Sequence, residues 1–356
     1  MSSDNTNTNI ANPASTAVPA MQVTDLRVTY YTDSGRVKAV DGVDLTLYRG
    51  ERLGLVGESG CGKSTMALAL MRMIKPPGRI ESGSAMVDGV DLLKLNEEET
   101  RGARLSLISY IPQGAMNSLN PVMRISDQML DAMSAHSPAS SIAEMRGRAE
   151  LALESVELKR SVMRMYPHEL SGGMKQRVCI AIGILLNPQV IIADEPTSAL
   201  DVVVQRQVME TICRVQEKIG AAVILIGHDM GLMAQITNRV AVMYAGKLVE
   251  LSTVREMFTD PSHPYAQALI RSLPNLENKG VFQGIPGLAP SLLKLPSGCV
   301  FHPRCSLAME MCKVKPPGPT YTATGRMVAC HLYDEKGNRM AQPAEKRFEA
   351  TTAVSA

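Results

Sequence analysis

The stretch Gly57-Glu58-Ser59-Gly60-Cys61-Gly62-Lys63-Ser64-Thr65 constrains this chain more than any other. It follows Arg52-Leu53-Gly54-Leu55-Val56, an apolar run that predicts a short buried strand. It precedes Met66-Ala67-Leu68-Ala69-Leu70-Met71, which predicts a helix. In the order strand, glycine loop, helix, successive backbone N–H groups turn inward around a phosphate chain, and the helix N-terminus adds partial positive charge. Lys63 is placed to reach the β- and γ-phosphates, and the Ser64 hydroxyl to meet Mg²⁺. A plain Gly/Ser turn would join the same two elements but would not need the full pattern. The expected ligand is a nucleoside triphosphate, held by Gly57, Ser59, Gly60, Cys61, Gly62, Lys63, Ser64 and Thr65.

A chain of 356 residues can hold a large α/β unit and a smaller one. A net charge of +2, 4% aromatic residues and no tryptophan give no sign of a dedicated nucleic-acid surface. No run of eighteen apolar residues is present, so no membrane-spanning helix is expected. Residues 1–20 are rich in Asn, Thr, Ser and Ala, lack Lys and Arg, and have no apolar core segment. They predict a disordered tail and no secretory signal, which places the chain in the cytoplasm. A second flexible tail is expected over 341–356.

Two approximately alternating stretches, 21–31 and 37–47, predict antiparallel strands joined at Asp33-Ser34-Gly35. Tyr30 falls near the end of the first, where its ring would stack on a purine or sit half-buried in a sheet. Lys75-Pro76-Pro77-Gly78 stops the helix after the loop, and 83–95 predicts a hairpin around Asp88-Gly89. An apolar strand over 105–112 runs into Gln113. Helix-forming residues with a polar break at 137–140 then predict a helical insert over about 114–168.

Ser171 is placed to start the next helix, with Gly172 and Gly173 leaving its first N–H groups accessible to a phosphate. The buried run Val190-Ile191-Ile192-Ala193 delivers Asp194 and Glu195 at a strand tip. After a phosphate loop, such a pair has a specific job: the first carboxylate holds Mg²⁺ and the second polarises the attacking water. An amphipathic helix around 208–219 leads to the strand 222–226, which ends at His228. A lone histidine there is commonly structural, but it ends a strand as Gln113 and Asp194 do. Ligands in open α/β sheets gather at such ends. A last hairpin, 240–244 with 247–251, closes the core.

The ordered set GESGCGKST, Gln113, LSGGMKQR, IIADEP, SALD and His228 resembles the nucleotide-binding subunit of ATP-binding-cassette (ABC) transporters over about 21–251. The resemblance implies an α/β fold: a P-loop NTPase core over 21–255 with an antiparallel β subdomain and the helical insert. It implies ATP hydrolysis with Mg²⁺ held by Ser64, Gln113 and Asp194. Glu195 matches the catalytic base, His228 the switch histidine, Asp201 the D-loop and Gln113 the Q-loop. Tyr30, or its neighbour Tyr31, matches the aromatic that stacks on adenine. Ser171, Gly172 and Gly173 match the signature motif, which in this family contacts the γ-phosphate held by the opposite subunit. Met174 replaces the glutamine common there and leaves those contacts in place.

His263-Pro264-Tyr265, Ile285-Pro286-Gly287 and Gly298-Cys299-Val300-Phe301-His302-Pro303-Arg304-Cys305 resemble the C-terminal extension of oligopeptide and dipeptide importer ATPases, here 256–340. This Pro/Gly-rich segment has little periodicity and is expected to bury few apolar groups by itself. Of seven cysteines, Cys61, Cys179 and Cys213 are scattered, whereas Cys299, Cys305, Cys312 and Cys330 cluster with the spacing C-x5-C-x6-C-x17-C. In a cytosolic chain this points to a metal sooner than to disulfides. Some members of the importer group carry a [4Fe-4S] cluster at the matching cysteines; zinc, helped by His302 or His331, and reduced thiols are the alternatives.

The resemblance further implies two membrane permease subunits, a second ABC ATPase subunit, identical or paralogous, and an extracytoplasmic substrate-binding protein. It places the chain peripherally on the cytoplasmic side of the inner membrane, with no nucleic-acid partner. Relatives import peptides, nickel or oligosaccharides. A soluble cassette ATPase acting on ribosomes or DNA, the rival class, usually carries two cassettes or a long coiled coil, and neither is visible here.

Overall fold

The computed structural model describes residues 18–114, 118–136, 140–198, 200–273 and 284–340. Most of the expected N-terminal tail, the whole C-terminal one, the polar break at 137–139 and Ala199 of SALD lie outside these residues. Residues 19 and 20, assigned to the tail from sequence, instead open the first strand.

Strands β1 (Pro19–Thr32) and β2 (Gly35–Tyr48) form a long antiparallel hairpin. β3 (Arg52–Val56) leaves it for a second sheet, while β4 (Gly78–Val87) and the short β5 (Val90–Asp91) return, giving the order β2-β1-β4-β5. The expected strand beyond Gly89 is cut short because the Asp91 carboxylate accepts from Leu93 N at 3.2 Å and starts a 3₁₀ turn. Helix α1 (Lys63–Leu70) follows the phosphate loop, and α2 (Glu97–Ala103) precedes β6 (Ile108–Ile111). Helix α2 was not foreseen. Its capping box, Asn96 with Glu99, is the signal that would have found it.

The helical insert is built from α3 (Ile125–Ser134) and α4 (Ile142–Ser155), the latter opened by a Ser141/Glu144 capping box. Next come α5 (Gly172–Gly183), β7 (Val190–Asp194), α6 (Val202–Ile219) and β8 (Ala222–Ile226). Helix α6 begins six residues before the expected 208, because Asp201 caps it; Gly220, at φ 68°, ends it in a left-handed turn that glycine adopts without strain. Then follow α7 (Met230–Ile236), β9 (Arg239–Tyr244), β10 (Lys247–Thr253), α8 (Val254–Thr259) and α9 (Pro264–Arg271). Beyond residue 284 come α10 (Glu310–Val314), β11 (Thr320–Tyr321) and β12 (Met327–Val328).

Among the described residues the second sheet runs β11-β12-β10-β9-β3-β8-β7-β6, parallel from β9 to β6. All residues of β7 and β8 are buried, as continuous apolar strands must be when both sheet faces are covered. Ile191, Ala193, Val223 and Leu225 face one core, and Val190, Ile192, Ala222 and Ile224 the other. Among the described residues the C-terminal segment forms no core separate from that of the sheet. Tyr265, Val300, Phe301, Leu307 and Leu332 join the cluster of Ile191 and Val223, and β12 pairs with β10 through Glu250 and Val328. Apolar residues without a period still fill gaps that an existing core offers.

Candidate active site

Strand register brings the predicted site residues to one sheet edge. Ile111 pairs with Ala193, Asp194 with Ile226, and Leu55 with Ile226, so the next residues of β6, β7, β8 and β3 all leave from the same side. Those residues are Gln113, Glu195, His228 and the phosphate loop. The position is the one where open α/β sheets hold ligands.

The loop is tightly seated. A Cβ on Gly57 (φ 149°) would lie 2.1 Å from the Met243 carbonyl oxygen, and one on Gly62 (φ 112°) 2.1 Å from that of Ala39. Only glycine fits there. The Cys61 carbonyl accepts from Gly246 N at 2.8 Å. Burial pushes the Cys61 thiol up, which keeps it neutral and a packing group. The Lys63 ammonium donates to the carbonyls of Gly57 (2.8 Å) and Glu58 (3.1 Å). Gly62 is the N-cap of α1, and Lys63, Ser64 and Thr65 form its first turn, which holds no acidic residue. The partial positive charge of the helix end is therefore not neutralised locally.

Asp194 is buried, and its Oδ2 accepts from the Tyr110 hydroxyl at 3.1 Å. Its Oδ1 is buried without a hydrogen-bond partner. Burial pushes this carboxyl above the usual carboxylate range, against the Ser64 and Tyr110 hydroxyls and the Lys63 charge, which favour the ionised form. An orphaned carboxylate oxygen beside a serine hydroxyl has the donor chemistry that suits Mg²⁺. Tyr110 was missed from sequence. Burial and the Asp194 charge raise its phenol, so it donates as a neutral group.

Glu195 has φ 44°, in the left-handed region, and its N–H donates to the Ile226 carbonyl at 2.9 Å. Its carboxylate is hydrogen-bonded at one oxygen and has a ring nitrogen nearby at the other. Gln113 Nε2 donates to Oε2 at 2.7 Å, and His228 Nδ1 stands 3.7 Å from Oε1. Gln113, Glu195 and His228, far apart in sequence, thus form one group.

Ser171 is the N-cap of α5, its Oγ accepting from Met174 N at 3.3 Å; its contacts are local. A Cβ on Gly173 would come within 2.7 Å of Val204 in α6, so Gly173 permits close helix approach. The Asp201 carboxylate accepts from Val203 N (3.1 Å) and Val204 N (3.0 Å), a full N-cap commitment. Tyr30 is half-buried and packs beside Ile74, whereas Tyr31 is 39% exposed with the guanidiniums of Arg36 and Arg79 over its ring. Tyr31 is therefore the more exposed residue of the two, with two guanidiniums already over its ring.

The four C-terminal cysteines come together without forming an ion site. Cys299, Cys305 and Cys312 are buried, and burial, then the nearby Cys299, Cys305 and Cys312, pushes the Cys330 thiol up to about 12. Among the described residues no group of three or more His, Cys, Asp or Glu side chains is arranged to hold a metal ion. The expectation of a metal there finds no formed ion site among the described residues. His302 Nδ1 and His331 Nε2 each lie within hydrogen-bond distance of a backbone carbonyl, at 2.9 and 2.7 Å.

Two family models match the sequence: ABC transporter over 40–198, and oligopeptide/dipeptide transporter, C-terminal region, over 249–312. The chain is 45% identical over 313 residues to the oligopeptide transport ATP-binding protein OppD of Salmonella typhimurium, covering 87% of this chain and 92% of that one. The chain belongs to the ABC transporter ATP-binding proteins. Within this ATPase family it is also 41% identical to the dipeptide transport ATP-binding protein DppD of Caldanaerobacter subterraneus, across 88% of this chain and 97% of the relative. Among solved structures it resembles the ATP-binding cassette MJ0796, described as a dimer in a post-hydrolysis state bound to ADP and Pi. That match has TM-score 0.59 and 27% identity, covering 66% of this chain and 99% of the cassette. The P-loop α/β fold expected of an ABC ATPase is the fold observed. Among the described residues no helix is long and apolar enough to cross a membrane.

Proposed function

We propose that this chain binds and hydrolyses ATP to energise the uptake of dipeptides and oligopeptides through separate membrane permeases. The observation that carries the reading is the convergence of Gln113, Glu195 and His228 beside a phosphate loop, in a chain that covers 92% of an oligopeptide transport ATP-binding protein. In this reading the loop 57–65 holds the triphosphate, Lys63 its β- and γ-phosphates, and Ser64, Asp194 and Gln113 the Mg²⁺. Glu195 takes the proton from the attacking water. Gln113 and His228 orient it. Phosphoryl transfer asks mainly for such positioning and charge stabilisation. Adenine stacks at Tyr30 or on the more exposed Tyr31.

In this reading the far side of the γ-phosphate takes its donors from a second subunit. Ser171, Gly172 and Gly173, at a helix N-terminus, supply them to the nucleotide of a second ATPase subunit, and Asp201 lies at that interface. The dimeric state of the MJ0796 cassette supports this arrangement. The full assembly is then two ATPase subunits, two permeases and an extracytoplasmic binding protein, with this chain on the cytoplasmic face of the membrane. Within it, 21–255 is the ATPase unit and 256–340 the extension. The test is ATP-dependent uptake of a labelled peptide by the complex reconstituted in vesicles. Uptake is lost in Lys63→Ala; uptake that persists undiminished rejects the reading.

For Cys299, Cys305, Cys312 and Cys330 the proposal is a [4Fe-4S] cluster with a structural job. The reading rests on four thiols that share a neighbourhood and on the four thiolates that such a cluster takes. Broad visible absorption after anaerobic purification, lost in Cys330→Ser, supports it; a colourless protein without iron rejects it.

A further inference from the structure

Glu58, second residue of the phosphate loop, is held from three directions. Its carboxylate accepts two bonds from the Arg304 guanidinium, at 2.6 and 2.9 Å. Its backbone N–H donates to the Tyr265 hydroxyl at 2.9 Å, and its carbonyl accepts from the Lys63 ammonium at 3.1 Å. Two of these grips come from the C-terminal extension. The fork geometry of an arginine–carboxylate pair fixes direction as well as distance. Arg304 is itself immobilised: it is buried, its Nε donates to the Pro286 carbonyl at 2.8 Å, and Nη1 to the Tyr244 hydroxyl at 3.2 Å. Tyr265 is fully buried, with its ring 4.5 Å from Tyr244 and 5.3 Å from Phe301.

The Glu58 N–H therefore points at the extension and away from the loop interior. That turn of the backbone leaves the Gly57 and Glu58 carbonyls facing Lys63. The cradle's shape is then fixed by groups more than 200 residues away in sequence, with separations of 207 and 246. We propose that Arg304 and Tyr265 are positioning residues for ATP hydrolysis, through which a seated C-terminal extension sets the phosphate loop in its nucleotide-binding shape. The inference rests on the nucleotide reading of the loop and adds a condition to it: the loop is competent only while the extension grips Glu58.

The experiment uses the full chain in its assembled complex and measures ATP turnover and Mg·ATP binding for Arg304→Met, Arg304→Lys, Glu58→Gln, Tyr265→Phe and Lys63→Ala. Arg304→Met is expected to raise KM for ATP and lower kcat/KM, by up to roughly 100-fold, the scale of loss from ångström-level misplacement. Arg304→Lys recovers part of this. Glu58→Gln combined with Arg304→Met is no worse than the poorer single variant, because both break one contact. Tyr265→Phe removes one oxygen and leaves the ring packing intact, so it tests the grip on Glu58 N–H even where Arg304→Met fails to fold by circular dichroism. The proposal is overturned by kcat and KM within about twofold of the parent in folded Arg304→Met and Tyr265→Phe, or by additive losses in the double variant. Lys63→Ala separates the two ideas. Mg·ATP binding that survives it sinks the nucleotide reading, while binding lost there but untouched by Arg304 and Tyr265 changes sinks this inference alone.

Discussion

The amide of Gln113 and the carboxylate of Glu195 meet at 2.7 Å, although 82 residues separate them. Because Nε2 donates to Oε2, the free lone pairs of Glu195 are directed, and His228 stands at the other oxygen. Replacing Glu195 by glutamine keeps the size but removes the proton acceptor. Turnover by the assembled complex is expected to fall about 10²- to 10⁴-fold, the usual worth of a general base. ATP binding persists, and an ATP-bound dimer accumulates on size exclusion. Undiminished phosphate release would remove Glu195 from the base's role.

Ser171→Ala separates capping from catalysis. Among the described residues the Ser171 hydroxyl caps α5, through Met174 N. Losing a cap costs about 1 kcal/mol of stability. If the same hydroxyl also reaches a partner's nucleotide, turnover of the complex falls at least about tenfold, as for loss of a charge-assisted hydrogen bond. Isolated-chain nucleotide binding stays near parental. Denaturant midpoints alongside ATPase rates distinguish the two, and a variant that is slightly less stable but fully active would confine Ser171 to capping.

The parts of the site legible in sequence are those whose chemistry is written locally. The loop 57–65, the strand tip at Asp194 and Glu195 and the cap at Ser171 are each marked by a short run of residues, even where their partners lie far away. Tyr110 was not legible, because its hydroxyl finds Asp194 across 84 residues and nothing near it marks the pairing. The same holds for Arg304 and Glu58, 246 residues apart. The sequence placed the extension after the core, but singly spaced apolar residues such as Phe301 and Leu332 have no period that betrays where they insert. Helix α2 is different: its start is written locally, in the Asn96/Glu99 capping box.

Stability against pH should expose a buried pair. Glu250 in β10 is fully buried and accepts from Ser262 N, 3.0 Å from each oxygen, and from His263 N at 2.6 Å. Burial pushes its carboxyl from 4.5 up to about 7, while the two N–H groups and the Arg326 charge pull the other way. Stabilisation from Glu250 is thus full below about 4.5 and lost as pH rises through about 7. His263, whose ring accepts from Tyr265 N at 3.0 Å, is lowered by burial from 6.5 to about 3. Its contribution is full above 6.5 and lost as pH falls through about 3. Between 4.5 and 6.5 the two slopes oppose each other. His263→Asn, which keeps a capping oxygen, should lose stability relative to the parent as pH rises through that window. Glu250→Gln should gain relative to it. Urea midpoints at several pH values check this; curves parallel to the parent's would mean that neither group titrates as its burial requires.

Phe301→Ala tests whether the extension and the ATPase unit share one core. The ring is 2% exposed and touches Tyr244 of β9 edge-on at 5.2 Å, Tyr265 at 5.3 Å and His263 at 5.8 Å. Removing a buried phenyl ring costs about 3–5 kcal/mol where the cavity cannot collapse. Since Tyr244 lies in the central sheet, that loss should fall on the main unfolding transition, lowering its midpoint without splitting it. The aromatic cluster also buttresses Arg304 and Tyr265, so ATP turnover in the folded variant should drop along with stability. Calorimetry decides the point. An extension that melted separately, leaving the principal transition of Phe301→Ala at the parental temperature, would mean that the shared cluster contributes no cooperativity.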